Sequence, residues 1–386
     1  MNLLPYCAIL LMLGLAHASN HLCMRVIARS RWSAAAAETA AYPTIEGLRG
    51  YLALGVFFHH GSVWIRENRE GIWTQPDAHF LTNLGDTSVT LFFMITAFLF
   101  VGKVLDSRDR PIDWLHLYRA RLFRMGPMYA LVVLAMLVVV GVLTHWSMHD
   151  SPRLLLRTLL GWASFGILGF WDINGVLGTR HILAGVVWTL TYEWAFYLML
   201  PVLAVLLNRR CAPWALLLSA VSAAVLILYW EPEIWRLAPF LGGAVAAWFV
   251  RRPALKAWTK RPGANALVLG LIAWQMTTQS SAYEAWSLLA LTFAFCLIAS
   301  GCSLFGVLAS TSSRHLGLPT YSIYLLHGLL LYVAFRFVFS PAESAGLSDE
   351  AHWAVVLALT PMLIGLSHLG YWLVERPFME WARGTR

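Results

Sequence analysis

Long apolar runs, broken by short polar segments, fill almost the whole 386-residue chain. A helix needs about 20 residues at 1.5 Å rise to cross a bilayer. Runs of that order predict spans over about residues 45–65, 88–105, 126–144, 183–206, 214–230, 234–250, 264–277, 286–309, 318–339 and 353–374. An eleventh run, 154–171, is interrupted by Arg157 and three glycines. Residues 3–16 are apolar but short and lead into Ala-His-Ala-Ser-Asn, which fits a cleaved signal, a retained helix or an upstream start site. The runs are far longer than the roughly 10-residue alternating strands of an outer-membrane barrel. The expected fold is therefore all-α, a polytopic membrane protein of about ten transmembrane helices.

Charge decides whether 154–171 crosses. If it does not, and the first span is entered from the cytoplasm, 20 of the 28 Lys and Arg residues fall on the cytoplasmic side. They include Arg25, Arg29 and Arg31, then Lys103, Arg108, Arg110, Arg119, Arg121 and Arg124. Arg209 and Arg210, the Arg251–Arg261 cluster, Arg314, Arg376, Arg383 and Arg386 complete the set. Most acids fall opposite, among them Asp86, Glu231, Glu233 and Glu284. A crossing at 154–171 would put the 251–261 cluster outside, against the positive-inside bias. Both ends are therefore expected in the cytoplasm, with 145–182 on the outer side. The division is residues 1–44 as an apolar segment and cytoplasmic lead-in, 45–380 as the transmembrane domain, and 381–386 as a tail.

Composition agrees. At 59% hydrophobic and 12% charged, the chain is not an ordinary soluble enzyme, which carries about twice that charged fraction. The net charge of +8 then records topology rather than nucleic-acid binding. Five cysteines without Cys-x-x-Cys spacing point to neither a disulfide framework nor a metal site.

Several polar residues stand at membrane depth, where they are costly without a use. The first span holds Arg49 and His60 on nearly one face, with His59 about 100° away. Thr96 is internal to the second span; a hydroxyl there ordinarily bonds a carbonyl one turn back. Arg119, Arg121 and Arg124 precede the third span and read either as a topology signal or as a phosphate site, since the guanidinium fork matches phosphate oxygens. Their spacing puts Arg121 and Arg124 on one side with Arg119 splayed. Glu193 lies deep in the fourth span and must be protonated, paired or facing a wet cavity. Tyr321, Tyr324 and His327 share a face of the ninth.

In order, Glu46-Gly-Leu-Arg49 with His60, FFMITAF, RARLFR, VVWTLTYEWAFYLMLP, YSIYLLH and YWLVERPF resemble the acyltransferase-3 family over about residues 44–380. These are bacterial inner-membrane O-acyltransferases, mostly acetylating surface or exported carbohydrates. The resemblance implies a catalytic Arg49 and His60, with Glu193 as the buried acid behind Trp188. It also implies acyl-coenzyme A binding by Arg119, Arg121 and Arg124, and a Tyr324–His327 motif. Glu46 stands where the family usually has Asp, Thr96-Ala97-Phe98 where it has Ser-Gly-Phe, and Thr189 where it has Ser.

The expected reaction is acetyl transfer from acetyl-coenzyme A, a substrate rather than a tightly bound cofactor, to a carbohydrate or lipid-linked glycan hydroxyl. His60 would serve as general base or transient acetyl carrier, Glu193 would orient it, and Arg49 would steady the thioester or its oxyanion. Membrane lipid is the other expected partner; nucleic acid and metal are not expected. A glycan-precursor transporter is the competing class and predicts inverted repeats, which the sequence lacks. A non-catalytic scaffold would leave Arg49, His60 and Glu193 buried without a reason.

Overall fold

The computed structural model describes residues 3–30, 32, 41–107, 112–207, 210–229 and 233–384. Among the charges that oriented the chain, Arg31, Arg108, Arg110, Arg209, Glu231 and Arg386 lie outside these residues, as does the Lys256 side chain. The described residues form these α-helices in order: α1 (Leu4–Ala28), α2 (Pro43–Glu70), α3 (His79–Asp106), α4 (Trp114–Leu143), α5 (Pro152–Ala163), α6 (Trp188–Leu206), α7 (Pro213–Tyr229) and α8 (Ile234–Phe249). Then come α9 (Pro253–Trp258), α10 (Pro262–Thr278), α11 (Ala285–Ala299), α12 (Thr311–Gly317), α13 (Thr320–Val333), α14 (Pro341–Ala345), α15 (Asp349–Gly370) and α16 (Arg376–Gly384). Wide π-type turns at Ala334–Val338 and Tyr371–Glu375 extend α13 and join α15 to α16. There is no strand among the described residues, only a bridge between Ile173 and Val176.

Each predicted span falls on a helix. By length and composition, six helical segments among the described residues are able to cross a membrane: α1, α3, α4, α6, α13 with its π turn, and α15 through α16. The chain is thus a multi-pass membrane protein. Helix α2 is not one of the six because it carries Arg49, His59, His60 and a charged end. Eighteen of its 28 residues are buried, and a helix surrounded by protein has no need to be apolar on every face. It packs on α3, α12 and α13. Helix α12 comes close because Gly317 lacks a Cβ, which would stand 1.9 Å from the Glu46 carbonyl oxygen.

Two segments depart from the expected spans. Helix α11 ends at Ala299, well before residue 309. Gly301 (φ 114°), Leu304 (φ 50°), Phe305 (φ 57°) and Gly306 (φ 92°) all adopt left-handed backbone there, which an α-helix cannot continue. Within 154–171, α5 is only 12 residues, about 18 Å, short of a hydrocarbon core of about 30 Å. Ser151 caps it by accepting from the Leu154 N–H at 3.3 Å. The rest of 145–187 is irregular, with His145, Trp146, Phe165, Asn174 and Ala184 at positive φ. It turns inward to bury Ile173, Ile182 and Leu183 in the main core.

Helix α1 contains the Ala-His-Ala-Ser-Asn stretch in its interior and lies along α15 and α12. Asn20 is 1% exposed. Its amide donates to the Ser312 carbonyl (3.0 Å), and its oxygen lies 2.9 Å from His368 Nε2. His17 reaches Ser312 Oγ (2.8 Å) and Tyr51 Oη (3.0 Å).

Candidate active site: two cavities with a common wall

Two cavities enter the helix bundle from its opposite ends and share Tyr324 and Val89 in their linings. The narrower, about 190 Å³, lies toward the end that carries Arg314 and the start of α4. Arg49, Thr96, Arg121, Arg124, Glu193 and Tyr197 supply its polar lining. Glu193 Oε1 accepts from Thr96 Oγ1 and from Tyr197 Oη, both at 2.8 Å. The Thr96 hydroxyl therefore crosses to α6 instead of bonding back to its own helix. Among the described residues Glu193 is held by these two hydroxyls and makes no ion pair, with Arg49 and Arg121 acting on it through charge alone.

Arg121 packs its guanidinium over the Phe100 ring at 4.9 Å. Arg49 and Arg124 make no hydrogen bond or ion pair among the described residues, although both feel each other's charge and that of buried Glu375. Glu375 in turn accepts from Ser322 Oγ at 2.5 Å. Glu46 is spent in an ion pair with Arg314 at 3.3 Å and does not line the cavity. Arg49 and Arg124 keep open donor forks, and Arg121, hydrogen-bonded to Tyr197, adds a third positive charge, a combination suited to an anion. Arg119 stands apart: its guanidinium lies over the Trp381 ring at 5.3 Å and the Phe123 ring at 5.8 Å. The splay read from spacing is present, and it carries Arg119 out of the cavity.

The wider cavity, about 650 Å³, belongs to the opposite end. His59, His60 and Trp188 line it, together with residues that no motif singled out: Asp86, Trp235, Arg236 and Tyr283. His60 Nδ1 lies 3.0 Å from the Val56 carbonyl oxygen and 3.2 Å from His327 Nε2. His327 Nδ1 lies 3.2 Å from the Ile323 carbonyl oxygen. A carbonyl only accepts, so both Nδ1 atoms carry the proton and His327 Nε2 presents a lone pair to the His60 Nδ1–H. His60 Nε2 is left as a free base. The expected Glu193–His60 contact is absent, because Glu193 faces the other cavity on α6; His327, on α13, positions the imidazole.

His59 also lines the wide cavity. Its Nδ1 donates to the Leu81 carbonyl oxygen at 2.8 Å, and its ring occupies space that only a glycine leaves open, since a Cβ at Gly85 would stand 2.6 Å from His59 Cγ. On the same side Trp73 stacks on His181 (4.5 Å between centroids, 10°) and faces His60 at 6.3 Å. Burial, with the Arg180 charge beside it, lowers the His181 pKa and keeps that ring neutral.

The wall between the cavities has its own bonding. Ala184 (φ 52°) and Gly185 (φ 68°) turn the chain just before α6, which brings the Val186 carbonyl under two hydroxyls. Thr189 Oγ1 donates to it at 2.9 Å, Tyr324 Oη lies 3.2 Å from it, and the two hydroxyls are 2.8 Å apart. Arg49 and His60, eleven residues apart on one helix, thus serve opposite sides of this wall.

No curated protein and no solved structure matches the chain. Residues 42–372, from the start of α2 to the π turn after α15, match the acyltransferase domain of the acyltransferase-3 family. That match covers most of the chain and both cavities, and the protein belongs to this family of membrane acyltransferases.

Proposed function

We propose that the protein moves an acyl group, acetyl foremost, from its coenzyme A thioester to a hydroxyl of a cell-surface or exported carbohydrate at the bacterial cytoplasmic membrane. The observation that carries this reading is the pair of opposed cavities with one common wall. Unpartnered guanidinium groups stand on one side of it and an imidazole with a free Nε2 on the other.

The excess of Lys and Arg at the narrow cavity's end supports a cytoplasmic position for that end, where acyl-coenzyme A is made. Ten crossings follow from α2 onward. Arg25 and Arg29, which follow the apolar run of α1, stand on the same cytoplasmic side as the start of α2. Arg121 and Arg124 take the phosphates of the coenzyme, and the thioester reaches past Arg49 to the wall at Tyr324. The acceptor hydroxyl approaches from the wide cavity. His60 Nε2 takes its proton as the oxygen attacks the thioester carbonyl, and the Nδ1–H bond to His327 spreads the charge that forms. The Tyr324 hydroxyl, at the boundary, turns its one proton from Thr189 and the Val186 carbonyl to the oxyanion. Collapse of the tetrahedral intermediate expels the thiolate, which leaves by the narrow cavity.

The test is transfer of radiolabelled acetyl from acetyl-coenzyme A to endogenous glycan in membrane vesicles. His60→Ala is expected to reduce transfer by roughly a thousandfold, the scale of a lost general base, with correctly folded protein and coenzyme A affinity within about twofold of wild type. Undiminished transfer would remove His60 from the chemistry.

A further inference from the structure

The wide cavity holds three carboxylates, Asp86, Glu233 and Glu284, and one cation, Arg236. The cation is already engaged: Arg236 pairs with Glu233 at 3.0 Å and lies over the Trp188 ring at 4.5 Å. Arg180 contacts His181 and is not in the lining. Glu233 and Glu284 stand at the rim, whereas Asp86 is half-buried on α3. Asp86 receives one long hydrogen bond, from Ser281 Oγ at 3.4 Å, and has no ion pair among the described residues.

A second observation points to a ligand. His59 is 8% exposed, its Nδ1 proton is committed to Leu81, and its Nε2 has no protein partner among the described residues. With His60 Nε2 also open, the cavity's carboxylate oxygens and imidazole lone pairs add a concentration of acceptors to the indole, amide and hydroxyl donors of the same lining. Such a lining is satisfied by a ligand rich in O–H or N–H donors. It opposes one that brings anionic oxygens, which add acceptors without donors and meet like charge in a confined site. The indoles of Trp188 and Trp235 and the Tyr283 phenol offer flat faces for the C–H side of a sugar ring, and a volume of about 650 Å³ is ordinary for a small-ligand site.

We infer that this cavity selects neutral or amino-bearing sugar acceptors and excludes acidic ones, with Asp86 as the main discriminator. Selection by Asp86 rests on the acyl-transfer reading for its purpose, but the binding preference does not need a donor to be measured. A lipid-linked acceptor would keep its phosphates outside the rim.

Saturation-transfer NMR on the detergent-solubilised full chain compares methyl glucoside, methyl glucosaminide and methyl glucuronide without any thioester. The first two are expected to bind at least about tenfold more tightly than the glucuronide. Asp86→Asn should shrink that gap by roughly threefold or more. The exposed Glu284→Gln should shrink it by less and serves as the variant least able to disturb folding. Equal binding of glucoside and glucuronide, no binding of any of the three, or an unchanged gap in both variants would overturn the inference. Failure of acetyl transfer with the selectivity intact would count against the acyl-transfer reading alone.

Discussion

The two cavities are built on opposite principles although they share a wall. The narrow one presents unpartnered cations, and its one lining carboxylate, Glu193, is satisfied by hydroxyls. The wide one presents acceptors and has its one cation neutralised by Glu233. On the proposed reading, a phosphate-bearing coenzyme and a polyhydroxyl sugar would be sorted by charge before either reaches Tyr324. The difference teaches that a single helix can serve both substrates: α2 sends Arg49 one way and His60 the other, about 16 Å apart along its axis.

That division can be broken from either side. The largest effect is expected from Arg121→Ala combined with Arg124→Ala. Losing two charge-assisted contacts should weaken coenzyme A binding by roughly a hundredfold, seen by isothermal titration, with the acceptor KM unmoved. A parallel rise in acceptor KM would show that the cavities are not separate. Tyr324→Ala removes the common wall. It should lower acetyl transfer about thirtyfold through the lost oxyanion donor and let longer acyl thioesters compete, which a chain-length series of acyl-coenzyme A substrates would read. A uniform loss for every chain length would mean that Tyr324 does not limit acyl size.

His327→Leu tests positioning across the wide cavity. The expected loss is about tenfold in kcat, the scale of one hydrogen bond, with KM within about twofold. His327→Gln keeps an acceptor oxygen and should recover most of it; failure of that rescue would assign His327 to packing. The smallest effect belongs to Arg119→Ala, under about threefold on coenzyme A affinity, because its guanidinium stacks on Trp381 and Phe123. A loss as large as that of Arg124→Ala would restore all three arginines to the binding site.

Legibility in the sequence followed the same division. Arg49, Thr96, Arg121, Arg124, Glu193 and Tyr324 are rare polar groups inside apolar runs, and the fold brings all six to the narrow cavity. Asp86, Arg236, Tyr283 and Trp235 come from near helix ends, where polar and aromatic residues are ordinary at a membrane interface, so nothing marked them before their ends converged. Spacing turns His59 away from the Arg49 face, but the wide cavity wraps far enough around α2 to take both histidines. The partner of His60 differs from the expected Glu193 for a related reason. Spacing within a helix tells which residues share a face, but not whether α6 or α13 lies opposite it. The helices themselves were legible from apolar length, while the stop at Ala299 depended on left-handed backbone at residues 301–306 that no hydropathy pattern records.

The Asn20–His368 contact joins residues 348 apart. At a synthesis rate of about 5–20 residues per second, roughly 20–70 s pass between the emergence of the first and that of the second. Throughout that interval the α1 amide stands in the membrane without its final partner, so α1 is completed only once α15 has been made. A nascent chain arrested before α15 carries an unsatisfied polar group on its first helix, a chemical mark of incompleteness that a finished molecule conceals.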